Sequence, residues 1–100
     1  MRIVWTELAV QDLLAIRRYI ADRNPAAARS VASRILHAVE LLPSQPHLGI
    51  PTHRTDVRRL VIAGTVYSIP YRVTGETIEI LEVFDGRRRA PRTALGSDPS

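Results

Sequence analysis

The chemistry open to this chain is concentrated in its arginines. Arg87, Arg88 and Arg89 are consecutive, Arg92 extends them, and no other stretch is as densely basic. Guanidinium groups of this kind suit an acidic surface patch, a carboxylate or a nucleic-acid phosphate, because their forked donors match paired oxygens. The alternative fate of such a run is a solvated charged segment. Arg72 stands in an apolar segment where Tyr67, Ile69, Tyr71 and Val73 alternate with Val66, Ser68, Pro70 and Arg72. If the first set packs inward, Arg72 points to the opposite face, placed either to meet a phosphate or to salt-bridge a neighbouring strand. Cleaving a phosphodiester without a metal needs such cations together with a general base and a general acid.

The carboxylates and imidazoles are less suggestive. Glu76, Glu79 and Glu82 recur every third residue of a strand-like segment, so Glu79 faces away from the other two and no acid–base pair is formed. His37, His47 and His53 are the only imidazoles. His37 falls on a polar helical face and the others lie six apart in a loop, with no acidic residues at ligand spacing, so surface histidines and no metal site are expected. Phosphate cradles, nucleophile elbows and zinc motifs are absent from the sequence. Asp12 is the odd residue of an otherwise apolar helical stripe. A carboxylate there must be paired or lie at the stripe's edge, since burying it alone is costly. A structural ion pair with Arg59 or Arg72 of the sheet is expected.

The elements that must hold these residues follow from periodicity. Ile3-Val4-Trp5 is a short β-prone run, and Thr6 reads as the N-cap of a helix whose apolar positions are Leu8, Ala9, Leu13, Ile16, Tyr19 and Ile20. Asn24-Pro25 reads as a cap followed by proline in the first turn, opening a second helix to about Leu42 with Ala28, Val31, Ala32, Ile35, Val39 and Leu42 on one side. The few residues between the helices imply an antiparallel hairpin. Pro43 stops the second helix, and Ser44 to Asp56 reads as loop. Val57–Ala63, Val66–Val73 and Thr77–Phe84 then read as strands, separated by Gly64-Thr65 and Thr74-Gly75-Glu76 at hairpin spacing. The expectation is an α+β fold, β-α-α-β-β-β, with an antiparallel helical hairpin packed on one face of a small, mainly antiparallel sheet. The other face is expected to be open, or covered by something outside this chain. The pairing partner of the first strand is left undetermined.

One hundred residues are enough for one domain with a two-layer core. At 45% apolar and 24% charged residues the chain is not of disordered composition. No apolar run approaches the roughly 18 residues of a membrane span, and Arg2, Glu7 and Asp12 interrupt a signal-peptide pattern. There is no cysteine, hence no disulfide, thiolate ligand or thiol nucleophile, and a cytoplasmic location is expected. All fourteen basic residues are arginine and the net charge is +4. That balance favours acidic or polyanionic partners but falls short of a dedicated duplex-DNA binder.

These pieces, in this order, resemble the RelE/ParE family of bacterial toxins from type II toxin–antitoxin operons. The resemblance runs from about Ile3 to Pro91. It is carried by Trp5-Thr6-Glu7-Leu8-Ala9 leading into Asp12 to Ile16, by Tyr19-Ile20-Ala21 and Asn24-Pro25-Ala26-Ala27-Ala28, and by Pro46-His47-Leu48-Gly49. Arg58-Arg59-Leu60, Tyr71-Arg72-Val73, Ile80 to Phe84 and Gly86-Arg87-Arg88 complete it. The long hairpin with Asn24-Pro25 is more similar to the ParE branch than to the shorter RelE ribonucleases.

The resemblance implies a ParE-like toxin domain over residues 1–92 with a flexible tail over 93–100. It implies a non-enzymatic inhibitor of DNA gyrase, without cofactor, neutralised by a ParD-like antitoxin in a hetero-oligomer that meets operator DNA only through the antitoxin. Target contacts are expected from Arg72, Arg87, Arg88, Arg89 and Arg92. Antitoxin contacts are expected from Leu14, Leu36, Arg58 and Arg87, on the helical hairpin and the adjacent sheet edge. The RelE-like alternative is a ribosome-dependent mRNA endonuclease using Arg59, Arg72 and Arg87 on phosphate with Asp85 as base. This chain has Asp85 where many relatives carry histidine, and Ala90 where an aromatic often follows. Both departures weigh against the nuclease and keep open a relic that only binds antitoxin.

Overall fold

The computed structural model describes residues 1–87. The first strand, β1 (Arg2–Trp5), leads directly into α1 (Glu7–Ala21), and a three-residue link connects α1 to α2 (Pro25–Glu40). Both helices begin on the expected caps: Thr6 Oγ1 accepts the Ala9 N–H at 3.1 Å and Asn24 Oδ1 accepts the Ala27 N–H at 3.1 Å. Pro25 occupies the first turn of α2, where its missing N–H costs nothing.

The sheet follows as β2 (Ile50–Pro51), β3 (Val57–Val61), β4 (Tyr67–Thr74), β5 (Thr77–Ile80) and β6 (Phe84–Asp85). Spatial order is β1-β5-β4-β3-β2, with β6 also on β4. The first strand pairs with β5, in parallel, Arg2 opposite Thr77 and Trp5 opposite Ile80; the other pairings are antiparallel. The short β2 lies within the segment expected to be loop. Thr74 and Thr77 close the β4–β5 hairpin over a two-residue turn in which Gly75 takes a φ of +57°, a conformation glycine adopts without a Cβ clash.

The core lies between the hairpin and one sheet face. Ala9, Ile35, Val39 and Leu42 from the helical side meet Leu60, Ile69, Tyr71, Ile78 and Ile80 of the strands. The alternation expected for β4 holds, since Tyr67, Ile69, Tyr71 and Val73 all pack into or against this core. Of the expected α1 stripe, Ala9, Leu13 and Ile16 join this core, whereas Tyr19 is 59% exposed and the Arg23 guanidinium lies 4.2 Å from its ring centroid.

The last strand is not continuous, and Pro70 explains why. The Pro70 carbonyl accepts the Leu81 N–H at 3.0 Å, so the β5–β6 side is also where its missing N–H would point. Tyr71 pairs with Ile80 and Ser68 with Phe84, so four residue steps on one strand face three on the other. The ladder bulges through Leu81-Glu82-Val83, with one residue too many. The bulge turns the Val83 N–H toward α1, where Asp12 Oδ2 accepts it at 3.1 Å. Asp12 therefore sits in the apolar stripe because a strand defect beneath it needs an acceptor. The expected pair with Arg59 or Arg72 is corrected accordingly: both arginines alternate onto the far sheet face, and Arg72 is held there by Glu79.

The far face also departs from expectation, because its middle is not open. Val57, Ser68, Pro70 and Phe84 are all buried within the chain. Part of the cover is visible: Thr52 Oγ1 donates to the Val57 carbonyl at 2.8 Å, and Gly86 packs so closely that a Cβ there would lie 3.2 Å from Ser68 Oγ.

Candidate functional site

Arg72 and Glu79 are register partners across β4 and β5, and Nε and Nη2 of the arginine donate to Glu79 Oε1 at 2.9 and 2.8 Å. Asp56 is more distant, 3.9 Å from Arg72 Nη1, and is itself held by Arg54 at 3.1 Å. The four side chains are 31–43% exposed, so the network orients the arginine more than it stabilises the fold.

Arg58 has a different task. Its Nη1 donates to the carbonyls of Gly49, at 2.9 Å, and His47, at 3.3 Å. The same loop is held from beneath by Tyr71, whose hydroxyl accepts the Gly49 N–H at 2.9 Å and donates to the Pro46 carbonyl at 2.8 Å. Burial pushes the Tyr71 phenol above the ordinary tyrosine range, while the Gly49 N–H and the nearby Arg58 charge pull it down. Arg58 and Tyr71 thus fasten the Pro46–Gly49 segment onto the sheet.

At the end of β6, Asp85 grips Arg87. Asp85 Oδ1 accepts the Arg87 backbone N–H at 2.9 Å, and the carboxylate meets Nε at 3.0 Å and Nη2 at 2.6 Å. The Asp85 hydrogen bond, with its charge, raises the Arg87 pKa further. The guanidinium is nonetheless 73% exposed, so it remains presented to a partner. Asp85 is opposite Tyr67, on the helix-facing side of the sheet, whereas Arg59 and Arg72 alternate onto the far side. Positions 67 and 72 of β4 are also about 17 Å apart along the strand. The four residues considered for phosphodiester cleavage are therefore split between two faces and do not converge. Arg88, Arg89 and Arg92 lie outside the described residues.

The hairpin carries a second kind of surface. Leu14 and Leu36, both expected to be exposed, are 51% and 42% accessible and line one groove between α1 and α2. The groove has two lobes, of about 420 and 480 Å³, and Leu14, Arg17 and Arg29 border both. Ala21, Ala28 and Ala32 keep its floor low. His37 is on its rim, while His47 and His53 belong to the loop before β3.

Sequence reasoning missed two groups of residues here. Glu79 as the Arg72 partner was legible in the hairpin, since a two-residue turn after Thr74 puts 72 opposite 79. Arg17 and Arg29, three residues after Leu14 and seven before Leu36, are brought to one trough only by the packing of the two helices.

A helical hairpin on a mixed, mostly antiparallel sheet, with a grooved outer surface and an arginine at the end of its last strand, is the α+β architecture of the small type II toxins. The model of the ParE toxin of type II toxin–antitoxin systems, parDE, matches residues 3–90, and the chain belongs to that family. It is 38% identical over 91 residues to the putative toxin Y4kP of Sinorhizobium fredii, covering 91% of this chain and 94% of that one. It is 35% identical over 87 residues to the toxin RelE2 of Caulobacter vibrioides, covering 87% and 97%. Among solved structures, the chromosomal ParDE toxin–antitoxin system from P. aeruginosa superposes with a TM-score of 0.74 at 30% identity, over 83% of this chain and 92% of that one. Among the described residues no helix is long and apolar enough to cross a membrane.

Proposed function

We propose that this toxin acts on DNA gyrase without itself catalysing a reaction, stalling the cleavage–religation cycle, and that a ParD-like antitoxin neutralises it in the cytoplasm. Family membership supports the antitoxin partnership, and the solved relative is a ParDE pair. The observation that carries the choice of a binding mode over cleavage is the dispersal of the candidate nuclease residues. Arg59 and Arg72 stand on one face, Asp85 and Arg87 on the other, and Asp85 has Arg87 on both oxygens. A general base whose two oxygens are both engaged by a guanidinium is poorly arranged for proton transfer.

In this reading Arg87 is the exposed cation that meets gyrase, continued by Arg88, Arg89 and Arg92. Arg72, held by Glu79, is a secondary contact. The antitoxin lies along the hairpin groove over Leu14 and Leu36, reaching the sheet edge near Arg58 and Arg87. It alone contacts operator DNA.

The test is purified toxin in a gyrase supercoiling reaction. Loss of supercoiling with accumulation of cleaved DNA is expected, weakened by Arg87→Ala. Normal gyrase turnover together with codon-specific cuts in translated mRNA would overturn the proposal. That outcome would favour the second reading, mRNA cleavage, to which the likeness to the toxin named RelE2 lends support. Inertness in both assays with retained antitoxin binding would identify a relic.

A further inference from the structure

Arg17 and Arg29, which border both lobes of the hairpin groove, have no carboxylate at ion-pair spacing on their own helices. No residue three or four positions from Arg17 on its helix (Leu13, Leu14, Ile20, Ala21) is acidic, and the same holds for Arg29 (Pro25, Ala26, Ala32, Ser33). Helical salt bridges therefore have no local partner to form with. No ion pair reaches them from elsewhere among the described residues. Across both lobes the charged lining is Arg17, Arg18 and Arg29 against the single carboxylate of Glu40, which borders only one lobe.

From this geometry we infer that the groove recognises a carboxylate: its occupant is an amphipathic helix with two apolar anchors, one per lobe, and a glutamate or aspartate between them that Arg17 and Arg29 bind together. The inference rests on the reading of the groove as the antitoxin surface and specifies what that surface selects. A helix fits because two antiparallel helices with small residues between them present a trough that a third helix can enter. Leu14 and Leu36 supply exposed apolar contact for the anchors. Leucines one heptad apart on the incoming helix are about 10 Å apart and lie on one face of it. The residue between them faces the waist where both arginines border both lobes. A carboxylate there is held by charge-assisted hydrogen bonds, whereas an apolar or cationic residue would leave two guanidinium groups desolvated without an acceptor. A second copy of this chain would bring Arg17, Arg18 and Arg29 to the same face against Glu40 alone among the described lining residues, a net like charge that opposes pairing.

The probe is a lactam-stapled, alanine-based peptide of 18 residues with two leucines seven positions apart, carrying Glu or Gln at the position between them. Fluorescence anisotropy at low ionic strength is expected to show the Glu peptide binding about tenfold more tightly than the Gln peptide. The preference should shrink with added salt and vanish in Arg17→Gln/Arg29→Gln. In Arg17→Glu/Arg29→Glu, a Lys peptide should bind best. Leu14→Asp should weaken every peptide, with circular dichroism confirming the fold. Equal binding of Glu and Gln peptides, or binding of neither, overturns the inference. So does a wild-type dimer in sedimentation equilibrium that Leu14→Asp disrupts. A chain that prefers Glu but spares gyrase defeats the target assignment alone; one that inhibits gyrase but ignores the Glu/Gln difference defeats this inference alone.

Discussion

Arg58, Arg72 and Arg87 on the sheet side and Arg17 and Arg29 on the helical hairpin have the same side chain and opposite situations. On the sheet side, Arg58 is bound to two loop carbonyls, Arg72 to Glu79 and Arg87 to Asp85. On the hairpin, Arg17 and Arg29 meet no acceptor among the described residues. Strand register puts a carboxylate directly across from Arg72, and a tight turn folds Asp85 back onto Arg87. Around Arg17 and Arg29 the helices offer only apolar and small residues three and four positions away. Cations already satisfied within the chain orient and fasten; cations left unsatisfied beside an apolar trough await something else. Substitutions on the two sides should therefore fail differently, those under the sheet in stability and those around the groove in binding.

The largest stability loss is expected at the strap over the sheet. A Cβ on Gly49 would lie 2.6 Å from Tyr71 Cε1 and 3.0 Å from the Arg59 carbonyl oxygen. Tyr71 is wholly buried and cannot swing aside. Gly49→Ala should cost about 3 kcal/mol, at the upper end for overpacking, lowering the thermal midpoint by roughly 10–20 °C. A loss below about 0.5 kcal/mol in urea unfolding would mean that the loop, not the tyrosine, gives way, and would remove the strap from the comparison.

Tyr71→Phe removes the hydroxyl without adding bulk, leaving the buried Gly49 N–H without its acceptor. The expected loss is about 1–2 kcal/mol. It carries a pH signature. Because burial raises the folded phenol's pKa, the unfolded chain releases its proton first. The contribution is fully present below about pH 10 and is lost as pH rises through that value towards the higher folded one. Urea midpoints of wild type and Tyr71→Phe should therefore keep their gap up to about pH 9 and draw together from there to about pH 11. A constant gap would show that the hydroxyl is not what holds the loop.

The sequence made the layers legible because each depends on local periodicity: both helix caps, the α2 stripe from Ala28 to Leu42, and the inward set of β4 appear as spacing dictates. What it hid is non-local. The split between β5 and β6 depends on Pro70 lying beside that strand, and Asp12 becomes intelligible only once the bulge presents the Val83 N–H. Tyr19 fell off the stripe because its helix is near its end there, where Arg23 can lie over its ring. At the site, Leu14 and Leu36 were legible as apolar residues off their stripes. The waist formed by Arg17 and Arg29 was not, because neither helix alone shows that the two guanidiniums border one trough.

The smallest expected effect sharpens the contrast most. Arg17→Gln and Arg29→Gln together remove two charges from exposed helix positions that have no partner to lose. Helix propensity barely changes, since arginine and glutamine rank close together. The unfolding free energy should consequently stay within about 0.5 kcal/mol of wild type, and mutual repulsion relieved across the groove makes a slight gain the more natural sign. Chemical denaturation at low and high salt separates these effects: a gain from relieved repulsion is larger at low salt and fades as ions screen the pair. A loss of about 1 kcal/mol or more would mean that these arginines hold the hairpin together as Arg58 holds the Pro46–Gly49 segment. The distinction between fastening and waiting cations would then fail.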